Sequence, residues 1–384
     1  MRRRRSSIAA LVLSLAFTSS CDTATRATSC AQRAVAFLGA LTGQERRRPH
    51  QNGAELALHL YNAQHSDCPV GYIRFDSQGD PELAKRLART IVDDPQIIAV
   101  VGPGYSGETA AAMPIFNAAG LPVVTASATN PTLSQQGWQT FHRVVGNDAA
   151  QGPAAAAFLS QVLTAKRVAI IDDGGLYGKA LADLVAKGLG ERGVVVAPRS
   201  EVDAHALDYK ATVAAIAEIG VDAVFYGGVT EPGVRLLRQL RDAHVGAPFM
   251  GGDGIFDPSF IAGVGPAAVG TFATCSCLDP NLVDTSARKS FRRDYLSLFH
   301  DEPVAFAMEY FDVANLMLAA FDAGVSTRAG MDQWLDASDS NGITKKLSFD
   351  EHGEVRVGPI YVLKVERGRF TQVASVVDGR VQES

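Results

Sequence analysis

The feature that most constrains the fold is a regular alternation of short apolar runs with longer amphipathic segments. Residues 97–102 and 167–173 have the length and the β-branched content of buried strands. The segment that follows Asp80 begins with Asp-Pro-Glu, a combination that favours the start of a helix. Strands that read as almost continuous apolar runs are covered on both faces. The alternation therefore predicts an α/β fold of parallel sheets between layers of helices.

The alternation occurs in two sets, divided near residues 143–153, so two similar lobes are expected. The predicted fold is a pair of doubly wound parallel-sheet lobes joined by a three-crossover hinge, and residues 347–355 with 358–370 predict a C-terminal β-hairpin. The expected boundaries are residues 31–147 and 277–361 for lobe 1, and residues 148–276 and 362–384 for lobe 2. The expected crossings lie near residues 147–150, 275–278 and 360–363.

The first residues have the pattern of a secretory signal peptide, predicted over residues 1–20. Four arginines, an apolar stretch and small residues precede Cys21. The alternative to a signal peptide is that this segment forms an amphipathic N-terminal helix of the fold. A cysteine in this place resembles the cleavage box of bacterial lipoproteins, although Thr18 stands where that pattern prefers leucine. We expect export, lipid attachment at Cys21 and a polar tether over residues 21–30. The mature protein would then lie on the outer face of the membrane or in the periplasm.

The charge balance limits the partners of the chain. Its formal net charge is −5, which disfavours a nucleic-acid partner because such partners select a basic face. No apolar run reaches the roughly 20 residues that a membrane-spanning helix needs. Contact with the membrane is therefore expected only through the lipid anchor.

Four further cysteines have to be placed in an oxidising compartment. Cys30 and Cys68 each precede a predicted strand, so a disulfide between them is expected if these strands are parallel neighbours. Cys275 and Cys277 are two residues apart and would share one face of a strand. We interpret this pair as structural and leave its pairing open, because no further ligands stand at the spacing of a zinc site.

The loop over residues 102–109 carries the strongest signals for chemistry. Its glycines match G-x-G-x-x-G, but a dinucleotide site also needs an acidic residue at the end of the next strand, and residues 125–129 contain none. The same loop imitates the nucleophile elbow of a serine hydrolase, yet Glu108 stands where that motif has glycine. A triad with Ser106 would need Asp253 and one of two polar-segment histidines, namely His300 or His352.

A third interpretation of this loop makes Ser106 a helix N-cap beside free backbone N–H groups, an arrangement that binds anions. Ser127 and Thr129 follow the next predicted strand, and the carboxyl ends of parallel strands lie at one edge of a sheet. These residues therefore predict a binding site for a small anion, while turn and cap chemistry alone is the alternative.

Several segments spread from about residue 35 to residue 370 match one family. They are NGAELAL at residue 52, GDPELA at 79, SATNPTLS at 127, QGPAAA at 151, LYGKALA at 176, YGG at 226, LLRQLRDA at 236 and FMGGDG at 249. Together they resemble the type I periplasmic solute-binding proteins of ABC importers, in the branch that binds leucine, isoleucine and valine. In that family the ligand lies between two lobes that close over it.

The resemblance implies a role for individual residues. Ser106 would bind the α-carboxylate of an amino acid and Asp253 its ammonium group. Ser127 would accept from the ammonium through its backbone carbonyl, Thr129 would complete the clamp, and Tyr177 would close on the ligand from the second lobe. Gly104, in the same loop as Ser106, and Val229, where the family has an aromatic residue, complete the expected ligand-binding set.

The implied function is that of an amino-acid-binding protein that delivers its ligand to the membrane subunits of an ABC permease, with no catalysis, metal or cofactor. A ligand-sensing receptor subunit on the same fold is the alternative, and a serine hydrolase is a distant third. The ligand's identity is left open. So is a contact from the basic loop Arg46-Arg47-Arg48, which is short where the family offers an aromatic residue and could instead reach an acidic ligand side chain.

Overall fold

The structure is a computed structural model that describes residues 33–43 and 48–383. The predicted signal peptide, the tether, Cys21, Cys30 and residues 44–47 of the basic loop lie outside the described residues. Elements are numbered below in chain order through the described part of the chain.

The first sheet consists of five parallel strands in the order β2-β1-β3-β4-β5. Its strands are β1 (Ala34–Gly39), β2 (Gly71–Asp76), β3 (Ile97–Val101), β4 (Val123–Thr125) and β5 (Phe141–Arg143). Strands β1 and β3 are buried along their whole length, as expected for apolar runs covered on both faces, whereas β2 at the edge is partly exposed.

Three helices follow β1, β2 and β3 of this sheet, a fourth leads from β5 to the second sheet, and their ends follow local sequence signals. They are α1 (Arg48–Gln64), α2 (Pro81–Asp93), α3 (Ser106–Ala118) and α4 (Asp148–Gln161). Asp80 caps α2 by accepting from the N–H groups of Glu82 (2.7 Å) and Leu83 (3.0 Å). The α2 N-terminus was predicted from this cap and from the proline that follows it, and it is confirmed.

The second sheet has eight strands in the order β15-β14-β13-β10-β9-β8-β6-β7. Its strands are β6 (Arg167–Asp172), β7 (Val195–Glu201), β8 (Ala223–Gly227), β9 (Phe249–Gly251), β10 (Phe272–Cys275), β13 (Ile360–Glu366), β14 (Arg369–Val377) and β15 (Arg380–Glu383). Strands β6 to β10 pair in parallel, and the last three strands extend the sheet in antiparallel fashion. Its connecting helices are α5 (Leu176–Gly190), α6 (Lys210–Ile219), α7 (Thr230–Asp242) and α8 (Pro258–Val264).

Between β10 and β13 the chain returns to the first sheet. This segment contains α9 (Ser286–Phe299), α10 (Ala307–Asp322), α11 (Arg328–Asp336) and a short ladder of β11 (Ser340–Asn341) with β12 (Lys346–Leu347). Helix α10 lies so close to α1 that a Cβ on Gly53 would sit 1.9 Å from the carbonyl oxygen of Ala307. Glycine is therefore required at this helix crossing. The lobe boundaries and the three crossings stay a prediction.

Several predicted elements differ from the structure. The apolar spacing of residues 53–64 predicts a helix there, and α1 begins earlier, at Arg48. The predicted hairpin arm over residues 347–355 does not pair with residues 358–370: it contains the end of β12 and two isolated bridges, Phe349–Val355 and Glu354–Arg143, and the hairpin is made by β13 and β14. Short strand β5 and helix α11 were not predicted, because three residues give no periodicity and α11 follows a threonine cap without the usual proline or acidic signals.

The structure identifies the disulfide partners of one cysteine pair and leaves those of the other as a prediction. Cys275 and Cys277 form a disulfide with each other, at a Cα separation of 5.1 Å, at the end of β10. Cys68 is also disulfide-bonded. Because Cys30 lies outside the described residues, the Cys30–Cys68 pairing stays a prediction. No helix within residues 33–43 and 48–383 is long and apolar enough to cross a membrane.

Candidate functional site

A cleft between the carboxyl-end loops of the two sheets brings most of the predicted residues together. It encloses about 500 Å³ of empty space, the solvent at its mouth included. Its walls are formed by Phe37, Gly39, Ala40, Gly104, Tyr105, Ser106, Ser127, Tyr177, Val229, Asp253, Gly254, Phe306 and Tyr310. Six of the seven predicted ligand-binding residues are in this set, and Thr129 is not.

One end of the cleft offers hydrogen-bond donors at the start of α3. Ser106 is the first residue of α3 rather than its N-cap, which is Tyr105, so the expected cap assignment is wrong by one residue. Ser106 remains beside the free N–H groups of the first helical turn, where the helix dipole favours an anion. The backbone N–H of Asn130 donates to Ser106 Oγ at 3.2 Å. Since Oγ accepts this bond, its own hydrogen is available for an acceptor in the cleft.

Buried Glu108 stabilises the loop that carries Ser106 through hydrogen bonds. This carboxyl group is fully buried, and it accepts hydrogen bonds from the Ser77 hydroxyl and from the Tyr105 N–H, the latter at 3.0 Å. Burial raises the pKa of Glu108 to about 7, although these donors act in the opposite direction. Glu108, which stands where the nucleophile-elbow motif has glycine, thus stabilises the loop that carries Ser106.

Ser127 connects the donor end to the aromatic wall. Its hydroxyl donates to the carbonyl oxygen of Gly104 at 2.8 Å and lies 2.9 Å from the Tyr310 hydroxyl. The side-chain hydrogen of Ser127 is engaged in these bonds, and the contact of its backbone carbonyl with a ligand, which the resemblance implies, stays a prediction.

The opposite end of the cleft is acidic and belongs to the second sheet. Asp253 follows β9 in a short 3₁₀ helix and is 5% exposed. Its Oδ1 accepts from the Tyr177 hydroxyl at 2.9 Å and from Gln151 Nε2 at 2.6 Å. The Gly254 N–H donates to the same Tyr177 hydroxyl at 3.1 Å. Tyr177 and Gln151 therefore fix the orientation of this carboxylate in the cleft wall.

A second buried carboxyl group, Asp148, lies behind Asp253 and was missed in the sequence. Both Asp148 carboxylate oxygens, the Thr129 hydroxyl and Gln151 Oε1 are buried, and within the described part of the chain none makes a hydrogen bond of normal geometry; the Thr129 hydroxyl is the donor nearest to Asp148. Burial and then the neighbouring Asp253 raise the pKa of Asp148 well above its ordinary value, while the nearby Thr129 hydroxyl and Arg143 oppose this shift. Unpartnered buried acceptors are costly, and a cationic group between them would remove that cost.

Apolar side chains form the remaining wall. Phe37 and Tyr310 lie with ring centroids 5.9 Å apart, and Phe306 precedes α10 with a φ of +66°. A bulky residue in this left-handed region is strained, which is typical of positions constrained by a binding site. These aromatic residues could not be assigned to the site from sequence, since they stand far from the glycine loops. Val229 lies opposite them in the second-sheet wall and donates its N–H to Asp173 at 3.0 Å.

The serine-hydrolase interpretation of the loop over residues 102–109 needs a histidine near Ser106. His300 ends α9 and His352 lies in an exposed turn, and neither lines the cleft, so Ser106 has no histidine partner there. No group of three histidine, cysteine or acidic side chains in the described ranges could hold a metal ion. Residues 44–47 of the basic loop lie outside the described residues, and a ligand contact from Arg46, Arg47 or Arg48 stays untested.

A donor end from one parallel sheet, an acidic end from another and an apolar wall between them define a two-sheet binding protein for a small ligand. The family model described as "Periplasmic binding protein" matches residues 34–369. The chain belongs to the periplasmic binding protein family.

Named relatives and solved structures agree with this assignment. The chain is 30% identical over 331 residues to the leucine-specific-binding protein of Salmonella typhimurium, covering 84% of this chain and 88% of that one. It is 28% identical over 309 residues to an amino acid binding protein of Pseudomonas aeruginosa, covering 79% and 81%. The fold is similar to that of a leucine-binding protein from Thermotoga maritima, with a TM-score of 0.82, 23% identity and coverage of 90% and 99%.

Proposed function

We propose that this protein binds an α-amino acid with an apolar side chain in its cleft and delivers it to the membrane subunits of an ABC importer. The observation that carries the proposal is the polarity of the cleft, which has donors at one end, the Asp253 carboxylate at the other and aromatic rings between them. This order matches the carboxylate, ammonium and side chain of an amino acid.

The carboxylate would lie at the N-terminus of α3, where it accepts from the Ser106 hydroxyl and from backbone N–H groups. Hydrogen bonds to a charged group contribute about 1.5–3 kcal/mol each, roughly twice as much as neutral ones. Thr129 does not line the cleft, and its backbone carbonyl accepts from the Asp148 N–H at 2.9 Å, so its proposed contact with the ligand would be made through its N–H group.

The ammonium group would lie between Asp253 and the unpartnered oxygens of Asp148. A cation in this place lowers the mutual repulsion of the two carboxylates and supplies the hydrogen-bond donors that Asp148 lacks. The side chain would then contact Phe37, Phe306 and Tyr310. Several relatives have names that refer to leucine, isoleucine and valine, which supports an aliphatic side chain.

The proposal includes export of the protein from the cytoplasm and docking on the membrane subunits of the importer. The family name and the basic, apolar and small-residue order of residues 1–20 support an extracytoplasmic protein. Anchoring at Cys21 and docking on permease subunits complete it. The two sheets would form the two lobes, with boundaries as given from the sequence.

Titration calorimetry with leucine and two charge-deleted analogues tests the proposal. N-acetyl-leucine lacks the cation and leucinamide lacks the anion, while both keep the side chain. We expect each analogue to bind at least tenfold more weakly than leucine, because a buried partner loses its charge-assisted bonds. Valine and isoleucine serve as matched controls that keep both charges. The proposal is wrong if no α-amino acid binds, or if both analogues bind as tightly as leucine.

A further inference from the structure

The Asn130 side chain lies behind the cleft wall and makes hydrogen bonds to both sides of the cleft. It follows β4 of the first sheet and is fully buried. Its side-chain Nδ2 donates at 2.8 Å to the carbonyl oxygen of Leu176, the first residue of α5, which follows β6 of the second sheet. A direct hydrogen bond therefore joins the two walls of the cleft beside Tyr177.

The other polar atoms of Asn130 tie the same residue to the donor end. Its backbone N–H donates to Ser106 Oγ at 3.2 Å, and its carbonyl oxygen accepts from Arg143 Nη1 at 2.9 Å. Its Oδ1 accepts from the Thr132 N–H at 2.8 Å and from the Thr132 hydroxyl at 2.7 Å. The two backbone bonds hold the main chain of Asn130 and the two Oδ1 bonds hold its amide group, so Nδ2 points toward Leu176 with little freedom.

From this arrangement we infer that Asn130 is a positioning residue that couples occupancy of the donor end to closure of the cleft. Opening the cleft separates Leu176 from Asn130 and breaks the bond between the walls. A carboxylate held by Ser106 fixes the Ser106–Asn130 contact and thereby favours the geometry in which the bond to Leu176 forms. The effect on ligand release rests on the proposed function, whereas the effect on opening of the empty cleft does not.

Two substitutions distinguish the effect of the Asn130–Leu176 bond from that of the local hydrogen bonds between Asn130 and Thr132. Asn130→Asp keeps an Oδ1 acceptor for Thr132 but replaces the donor with an oxygen facing the Leu176 carbonyl. Asn130→Ser keeps a short capping oxygen, adds no charge and cannot reach Leu176. Asn117→Asp is the matched control, because Asn117 lies at the other end of α3 and caps the Gln139 N–H at 2.8 Å.

The first measurement needs no ligand. Spin labels on exposed Arg89 of α2 and Lys187 of α5 report the distance between the two sides of the empty cleft. We expect both Asn130 variants to shift the distance distribution toward longer values, and Asn117→Asp to leave it unchanged. Thermal unfolding of each variant verifies that the fold is intact.

The second measurement is the dissociation rate of leucine by stopped-flow displacement. Loss of one hydrogen bond between the walls should raise this rate about fivefold in Asn130→Ser, with little change in the association rate. If only the charged Asn130→Asp variant releases leucine faster, repulsion of the carboxylate explains the result and the inference is wrong. Unchanged distances in both variants would overturn it as well, whether or not wild-type protein binds leucine, and failure of wild-type binding alone contradicts only the proposed function.

Discussion

The buried carboxyl group of Glu108 predicts a specific dependence of stability on pH. Its pKa is about 7 in the folded protein, against 4.5 for an ordinary glutamate, and burial is the main cause. Between these two pH values the folded state binds more protons than the unfolded chain. The free energy of unfolding therefore falls as the pH rises through this interval, and the contribution of Glu108 is fully present only below about pH 4.5. The total loss is about 3 kcal/mol by pH 8.

The variant Glu108→Gln removes this titration and keeps an acceptor for the Tyr105 N–H. Denaturant unfolding at intervals between about pH 4.5 and pH 8 should show that wild type loses about 3 kcal/mol more than the variant. Glu82→Gln is the control, because Glu82 occupies the first turn of α2 but is exposed. Taking differences between variants cancels the titration of other buried groups. Parallel stability curves for wild type and Glu108→Gln would refute the reasoning.

Further predictions concern the ligand and the disulfide. Ser106→Ala and Asp253→Ala should each weaken leucine binding about tenfold or more by calorimetry, and unchanged affinity in Asp253→Ala would contradict the ammonium assignment. Asp148→Asn should raise stability near neutral pH, since it removes a buried acidic group with a raised pKa, but should weaken leucine binding. Saturating leucine should reduce the radius of gyration in small-angle scattering, and an unchanged radius would indicate a rigid cleft. Cys30 and Cys68 should resist alkylation until reduced, which mass spectrometry can check.

The sequence predicts the donor end well because that end is local. A strand, a glycine-rich loop and a helix start lie within a few residues of Ser106, and the geometry of such a turn is set by backbone chemistry. Ser127 is found by the same logic, since β4 is the parallel neighbour of β3. The acidic end at Asp253 depends on the second sheet and was assigned only through the family resemblance.

The apolar wall and the second carboxylate have no such local signal. Phe37 belongs to β1 and has the burial of an ordinary core residue. Tyr310 lies within α10, whose apolar spacing is that of any buried helix. Asp148 has the position of a normal acidic residue in the first turn of a helix, where the dipole alone would explain it. Only tertiary packing shows that these residues meet at one cleft.

The origin of the two charged ends in different sheets has a consequence for closure. The neighbouring Asp253 raises the pKa of Asp148 at the acidic end, while Ser106 Oγ, which accepts from the Asn130 N–H, keeps its own hydrogen for an acceptor. In the proposed binding mode, an amino acid would compensate both ends only when the walls are close enough for one molecule to reach them. Its binding free energy therefore includes the free energy of closing the cleft, and a ligand that lacks either charge has less differential affinity for the closed form. Under the proposed function, in which a permease takes the ligand from the closed form, the separation of the two ends between two sheets would make both charges a condition for delivery.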